Sequence, residues 1–318
     1  MNQLAEPAEL VDVLVDELVA SYVFPERSAA AADVLSANLA DGRYDLPVGP
    51  ALCELLSADL YDACADKHLR LIWDESVEAG LDEEHLVAEL HELFRLENHG
   101  VRRVERLQGN VGLIELTIVP GAATGGAALA AAMRLVEHTH ALILDLRGTR
   151  GGAPDGVAFL AGFFFTDGEV HLNDIVEGPN GPTRQYWTSS HLPSPRYVDR
   201  PVYGLTSAST FSGGEELAYD LQALERATIV GEVTRGGAHP SAVVSLGTHV
   251  ELRLPIARAV NPITGGNWEG VGVQPDVQVP AADALDVALR AALETIANDE
   301  ALPEASRAAT GSYLVSTP

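Results

Sequence analysis

Two segments of the sequence place a nucleophile or glycines where negative charge can be received. The first is TSASTFSGGEE, Thr206–Glu216. A short apolar strand ends at Thr206 and a helical pattern begins at Ser212. A serine at a helix start lies beside unbonded backbone N–H groups and the positive end of the helix dipole. An oxyanion developing on a carbonyl needs those groups. Ser212-Gly-Gly-Glu215 also reads as a capping box, so capping and nucleophilic catalysis both stand on these residues. Gly213 and Gly214 favour the second reading, because they are poor helix formers and admit another chain or a substrate close to the backbone. The esterase elbow is excluded, since Thr210 stands at its first glycine position.

The second segment is LDLRGTRGGAPDG, Leu144–Gly156. Glycines between a parallel strand and a helix can form a backbone nest for an anion. Neither Gly-x-Gly-x-x-Gly nor a P-loop lysine is present. An oxyanion hole using Gly151 or Gly152 therefore fits as well as phosphate, and a plain strand–helix turn is the third reading. The ten histidines are scattered along the chain.

The chain has 318 residues, 46 acidic and 20 basic, for a formal net charge of −26. That surface repels phosphate backbones, which excludes nucleic acid as the expected partner. Hydrophobic residues at 47% suffice for a large core in two domains. Two cysteines, Cys53 and Cys64, imply no disulfide framework and fit a reducing compartment. No cysteine–histidine group has zinc spacing, and His85 and His91 fall on different helix faces, so no metal or cofactor is expected. MNQLAEPAELVDVLVDELVA reads as an amphipathic helix and not as a signal peptide. No apolar run reaches the ~20 residues of a membrane span. The expected location is cytoplasmic, without a membrane partner.

The elements that must position these residues change character along the chain. Leu10, Val11, Leu14, Leu18 and Val19 repeat at helical spacing. Helices are expected to about Leu39, over Ala51–Cys64 and over Asp82–Glu97. Strands are expected at Val111–Val119, Ala141–Leu146, Pro201–Thr206 and ATIVG, with helices between them, which means right-handed crossovers in a largely parallel sheet. SAVVSL and VELRLP read as further strands. Residues 166–200 are either a long functional loop or a β-hairpin insertion. A helix over Ala282–Ala297 is followed by an expected loose tail.

TSASTFSGGEE, then ATIVGEVTRGGAHP, then GVGVQPDV resemble the tail-specific, or carboxyl-terminal-processing, serine peptidase family over about residues 105–290. YVFPE and DKHL extend the resemblance towards the N-terminus. The branch most similar contains interphotoreceptor retinoid-binding protein and, more distantly, the tricorn protease core. The resemblance implies that Ser212 is the nucleophile. It implies no Ser–Lys dyad, because Gly237 stands 25 residues after Ser212 where processing enzymes have lysine. The tricorn-like pattern implies His68, in DKHL, as base and Glu269, in WEGVGVQPD, as its orienting carboxylate, although Lys67 departs from that pattern; His239 in TRGGAHP, two residues beyond the missing lysine position, is the competing base. Gly213 with Gly151 or Gly152 would then supply the oxyanion donors. Trp268 lines a pocket or packs. No segment reads as a PDZ domain, His68 being separated from the first expected strand by about 40 mostly helical residues.

The expected fold is α/β: a helical N-terminal domain over 1–104 and a crotonase-like (ClpP/crotonase) β-β-α spiral over 105–318. The expected activity is hydrolysis of peptide bonds through an acyl-enzyme. Ester or small-amide hydrolysis by the same triad is one alternative, and a non-catalytic carrier of an apolar, retinoid-like ligand is another. The substrate is a peptide or small acyl compound, and a homo-oligomer is left open.

Overall fold

A computed structural model describes residues 6–75, 92, 94–166, 169–178 and 181–316. The chain divides into two compact units that are not contiguous in sequence. One holds Met1–Leu90, Asp174–Arg184 and Gly237–Val260; the other holds His91–Asn173, Gln185–Gly236 and Asn261–Pro318.

The first unit opens with helices α1 (Pro7–Ser21), α2 (Pro25–Ala40) and α3 (Pro50–Cys64). Each starts on a proline, where a missing N–H is not needed by the helix. Leu10, Leu14 and Leu18 from α1, Leu35 from α2 and Leu52, Leu56 and Leu60 from α3 are fully buried in one core. A residue in the left-handed region, Ala65 at φ 52, ends α3. Strand β1 (Arg70–Trp73) follows. It pairs antiparallel with β10 (Val250–Pro255), which pairs with β9 (Ser241–Gly247). The first strand thus begins two residues after His68, and not about 40 as its sequence neighbourhood suggested. Four residues facing a partner far along the chain leave no local alternation to read.

The second unit is built on a six-stranded sheet of β2 (Val101–Leu107), β3 (Val111–Leu116), β4 (Ala141–Asp145), β7 (Val202–Thr206), β8 (Thr228–Gly231) and β12 (Val277–Gln278). Their order is β12-β8-β7-β4-β3-β2. Neighbours pair parallel except β2, the antiparallel edge. The residues of β4 and β7 are buried throughout, as in a parallel sheet covered on both faces. Helices α4 (Ala122–Val136), α5 (Pro154–Ala161) and α6 (Gly213–Ala223) fill the crossovers. Helix α7 (Ala284–Asn298) lays Ala284, Ala288, Ala292 and Ile296 against Val111, Ile143, Leu205 and Val230. The mixed α/β architecture with a helical N-terminal region is the expected one.

Several details differ from the sequence reading. VRRVERL forms β2, although its charged residues hid it; most of them are exposed on this edge strand. Residues 166–200 contain the hairpin of β5 (His171–Glu177) and β6 (Thr183–Trp187), and β11 (Ala257–Val260) pairs with β5. SAVVSL and VELRLP belong to the small sheet of the first unit and not to the main sheet. The expected loose tail is helix α8 (Glu304–Ser316), with Thr310 buried. Its alanines favour the helix, and it packs on α7. His85, His91 and most of the helix expected over Asp82–Glu97 lie outside the described residues; residues 92 and 94–96 are helical. Among the described residues no helix is long and apolar enough to cross a membrane.

Candidate active site

Ser212 stands at the C-terminal end of β7, after a five-residue turn, and at the N-terminus of α6. Its backbone is at φ 50 and ψ −118. A non-glycine residue there is strained and persists only where its surroundings impose it. The surroundings are specific. The Ser212 N–H donates to Glu215 Oε2 at 2.8 Å, and the Glu216 N–H donates to the Ser212 carbonyl at 2.9 Å. Glu215 is fully buried. Its other oxygen accepts the Thr234 hydroxyl at 2.5 Å and the Gly236 N–H at 2.6 Å. Glu215 is therefore more than a helix cap, because it ties the serine turn to the loop after β8.

The glycine turn after β4 lies against this serine. A Cβ on Gly213 would stand 2.7 Å from both N and Cα of Gly152, so a glycine at 213 is what allows this approach, while a Cβ on Gly152 would meet Val119. A Cβ on Gly151 would stand 3.8 Å from the Ser212 Cβ. Gly152 is in a parallel bridge with Val119: the Val119 N–H donates to the Gly151 carbonyl at 3.0 Å and the Ala153 N–H to the Val119 carbonyl at 2.9 Å. In extended chain this directs the N–H of Gly152 away from Val119. Side chains and backbone lock the two turns together. Thr210 Oγ1 donates to the Leu146 carbonyl at 2.9 Å, Ser207 Oγ to the Arg147 carbonyl at 2.7 Å, and the Phe211 N–H to the Thr149 carbonyl at 3.0 Å. Arg147 pairs with Asp145 through two bonds of 2.9 and 2.6 Å. Ser212, Gly213, Gly151 and Gly152 are thus brought together in one unit.

Both candidate histidines belong to the first unit, and a carboxylate that sequence reading passed over connects them. Asp66 is fully buried. Its Oδ1 accepts the His68 backbone N–H at 3.0 Å. Its Oδ2 is 2.7 Å from His239 Nδ1 and accepts the Tyr22 hydroxyl at 3.1 Å. Burial raises the Asp66 carboxyl, but the hydrogen bond and charge of His239, with the N–H and charge of His68, outweigh it and hold the group below its ordinary value. Burial, with the Asp66 charge behind it, pushes the Tyr22 hydroxyl far up. His239 is 3% exposed, whereas His68 is partly exposed. Asp66 and Tyr22 sit inside DKHL and YVFPE, so the signal that could have found them was the presence of those two segments in the family pattern.

Glu269 belongs to the second unit. It follows Trp268 in the loop before β12, is partly buried, and its N–H donates to Asn267 Oδ1 at 2.9 Å. Gly270 N–H donates to the Gly236 carbonyl at 3.2 Å, which joins this loop to the segment that Glu215 holds. Trp268 is 1% exposed and packs on Tyr219 of α6 with ring centroids 5.3 Å apart. It is a packing residue of that loop.

The sequence model of peptidase family S41 matches residues 110–279, more than half of the chain. A carboxy-terminal-processing protease of Bartonella bacilliformis is 28% identical over 137 residues, which are 43% of this chain and 30% of that protein. The fold is similar to that of a Parabacteroides merdae protein described as a peptidase, at a TM-score of 0.65 and 18% identity over 94% of this chain and 100% of that one. It is also similar to the photosystem II D1 C-terminal processing protease, at a TM-score of 0.55 and 16% identity over 87% and 94%. With strand-end serine, glycine turn and intervening sheet all inside the matched region, the chain belongs to peptidase family S41.

Proposed function

We propose that the chain is a serine peptidase that cleaves peptide bonds through an acyl-enzyme on Ser212. The observation that carries the reading is the strained Ser212 at the start of α6, with Gly213 packed directly on Gly152. Mere capping requires neither the unusual backbone nor the glycine contact. The N–H groups of Gly213 and of Gly152 or Gly151 are the proposed oxyanion donors.

A serine hydroxyl is a weak nucleophile and needs a base. His68 is the proposed base and Glu269 the carboxylate that fixes its tautomer and stabilises the imidazolium. His68 takes the Ser212 proton as Oγ bonds to the substrate carbonyl carbon. The carbonyl oxygen becomes the oxyanion. The imidazolium then gives its proton to the leaving amine as the C–N bond breaks. Water, deprotonated by His68, hydrolyses the ester. The name of the Bartonella relative points to polypeptides cut near a carboxyl terminus as the substrate class. The buried free thiols of Cys53 and Cys64 support a reducing compartment such as the cytoplasm.

The test is labelling by a fluorophosphonate probe. Wild-type protein should label and Ser212→Ala should not, and the same variant should lose peptide cleavage. A chain that never labels, while binding an apolar ligand stoichiometrically, would replace the peptidase by a carrier.

A further inference from the structure

We infer that Asp66, braced by His239 and Tyr22, positions His68, and that His239 acts through Asp66 and is not itself the base. This rests on the proposal that His68 is the base. Two sequence-remote segments spend polar groups on the buried carboxylate of Asp66, which follows α3: Tyr22 at the end of α1 and His239 before β9. Burying a carboxylate is unfavourable unless its oxygens are bonded, and apolar residues could pack this position without that demand. Asp66 also grips the main-chain N–H of His68.

The braces are themselves anchored. The Val23 N–H donates to the Pro255 carbonyl at 3.0 Å, which fixes the Tyr22 segment to the end of β10. The Ala257 N–H donates to the Pro240 carbonyl at 3.3 Å and the Ala259 N–H to the Ala238 carbonyl at 3.2 Å, on either side of His239. Phe24 packs edge-on against the His239 ring at 5.0 Å. A base must reach a serine proton within about 3.2 Å or through one water. His239 has its Nδ1 on Asp66 and is 3% exposed, whereas His68 is partly exposed. The Asp66 charge also favours a proton on the nearby His68 ring, by the same attraction through which His68 helps keep Asp66 ionised.

The experiment compares His68→Ala, Asp66→Asn, His239→Gln, Tyr22→Phe and the Asp66→Asn/His239→Gln double variant. The readout is the rate of fluorophosphonate labelling of Ser212 from pH 5 to 9. His68→Ala should lose ~10²–10⁴ in rate. Asp66→Asn and His239→Gln should each lose ~10–10², the scale of a small misplacement of a reacting group. The double variant should lose no more than the worse single one, because both act through one carboxylate. The acid limb should persist in His239→Gln and move to lower pH in Asp66→Asn. Should Asp66→Asn not fold, Tyr22→Phe removes one bond to the carboxylate and should still lower the rate without moving the limb. If Asp66→Asn, His239→Gln and Tyr22→Phe all label at the wild-type rate and profile while His68→Ala is dead, the base stands and this inference is overturned. Multiplicative losses in the double variant would also overturn it. If His239→Gln abolishes the acid limb and His68→Ala retains it, the base assignment itself falls.

Discussion

Glu216→Gln should make this protein more stable at alkaline pH. Glu216 and Asp220 lie one turn apart on α6, both buried. Glu216 Oε1 accepts the Asn173 amide at 3.0 Å, and Asp220 Oδ1 accepts the Asn261 amide at 3.0 Å. Burial, and secondarily the Asp155 charge, raises the Glu216 carboxyl from 4.5 to about 7; the Asn173 bond offsets only part of this. Burial and the Glu216 charge raise Asp220 in the same direction. A carboxyl raised in the fold favours the folded state fully below its unfolded value, near 4.3. That advantage disappears as pH rises to the folded value near 7. Over this window one carboxyl accounts for roughly 3 kcal/mol. Glutamine keeps an acceptor for Asn173 and has no proton to lose. Urea unfolding at pH 4.5, 6 and 8 should therefore show wild type and Glu216→Gln converging at the lowest pH. The variant should gain by up to ~3 kcal/mol at the highest. A variant destabilised equally at all three values, with the wild-type pH slope, would show that Glu216 is ionised throughout, and would refute the reasoning.

Gly213→Ala puts a methyl 2.7 Å from the Gly152 backbone; it should cost ~1–3 kcal/mol in chemical denaturation and abolish Ser212 labelling. Gly148→Ala, in the turn that carries Gly152, is the control, since nothing lies within 4 Å of its Cβ, and should change neither. Glu215→Gln turns one of the two oxygens that receive the Ser212, Thr234 and Gly236 donors into a further donor. It should lower stability by ~1–3 kcal/mol and slow labelling at least tenfold. Dialysis against a chelator should leave the labelling rate unchanged, and loss restored by zinc would contradict the serine mechanism.

The parts of the fold legible in the sequence are those whose signal is local. ALILD and VYGLT are continuous apolar runs because both faces of β4 and β7 are covered, and the glycine turns after them mark where the chain leaves the sheet. The Gly213–Gly152 contact was foreshadowed by glycines placed where a helix gains nothing from them. What escaped depends on distant partners. β1 exists through pairing with β10, and β2 is a charged edge whose in–out alternation is weak. No spacing singles out Asp66 among 46 acids, because its meaning lies in the His239 ring and the Tyr22 hydroxyl that fold onto it. Glu215 could be read as a cap, but its second oxygen serves Thr234 and Gly236, which no spacing within α6 reveals.

Glu215 and Glu216 make the same point at the scale of two adjacent residues. Both are buried on the first turn of α6 and chemically identical, yet substitution by glutamine should move stability in opposite directions. Glu215 meets three donors, two of them backbone N–H groups that cannot turn away. An acceptor-only carboxylate is what such a cluster requires, and an added amide N–H has nowhere to point. Glu216 has the Asn173 amide on one oxygen and another buried carboxyl one turn along. Burial there favours a proton, and a neutral amide is close to the state the fold already prefers. The sign of each substitution follows from the number and kind of donors, and these are set by which face of α6 each residue occupies. The face towards the Thr234 loop holds the nucleophile turn in its strained form. The other joins α6 to the strand segments that carry Asn173 and Asn261, and there burial raises both carboxyls.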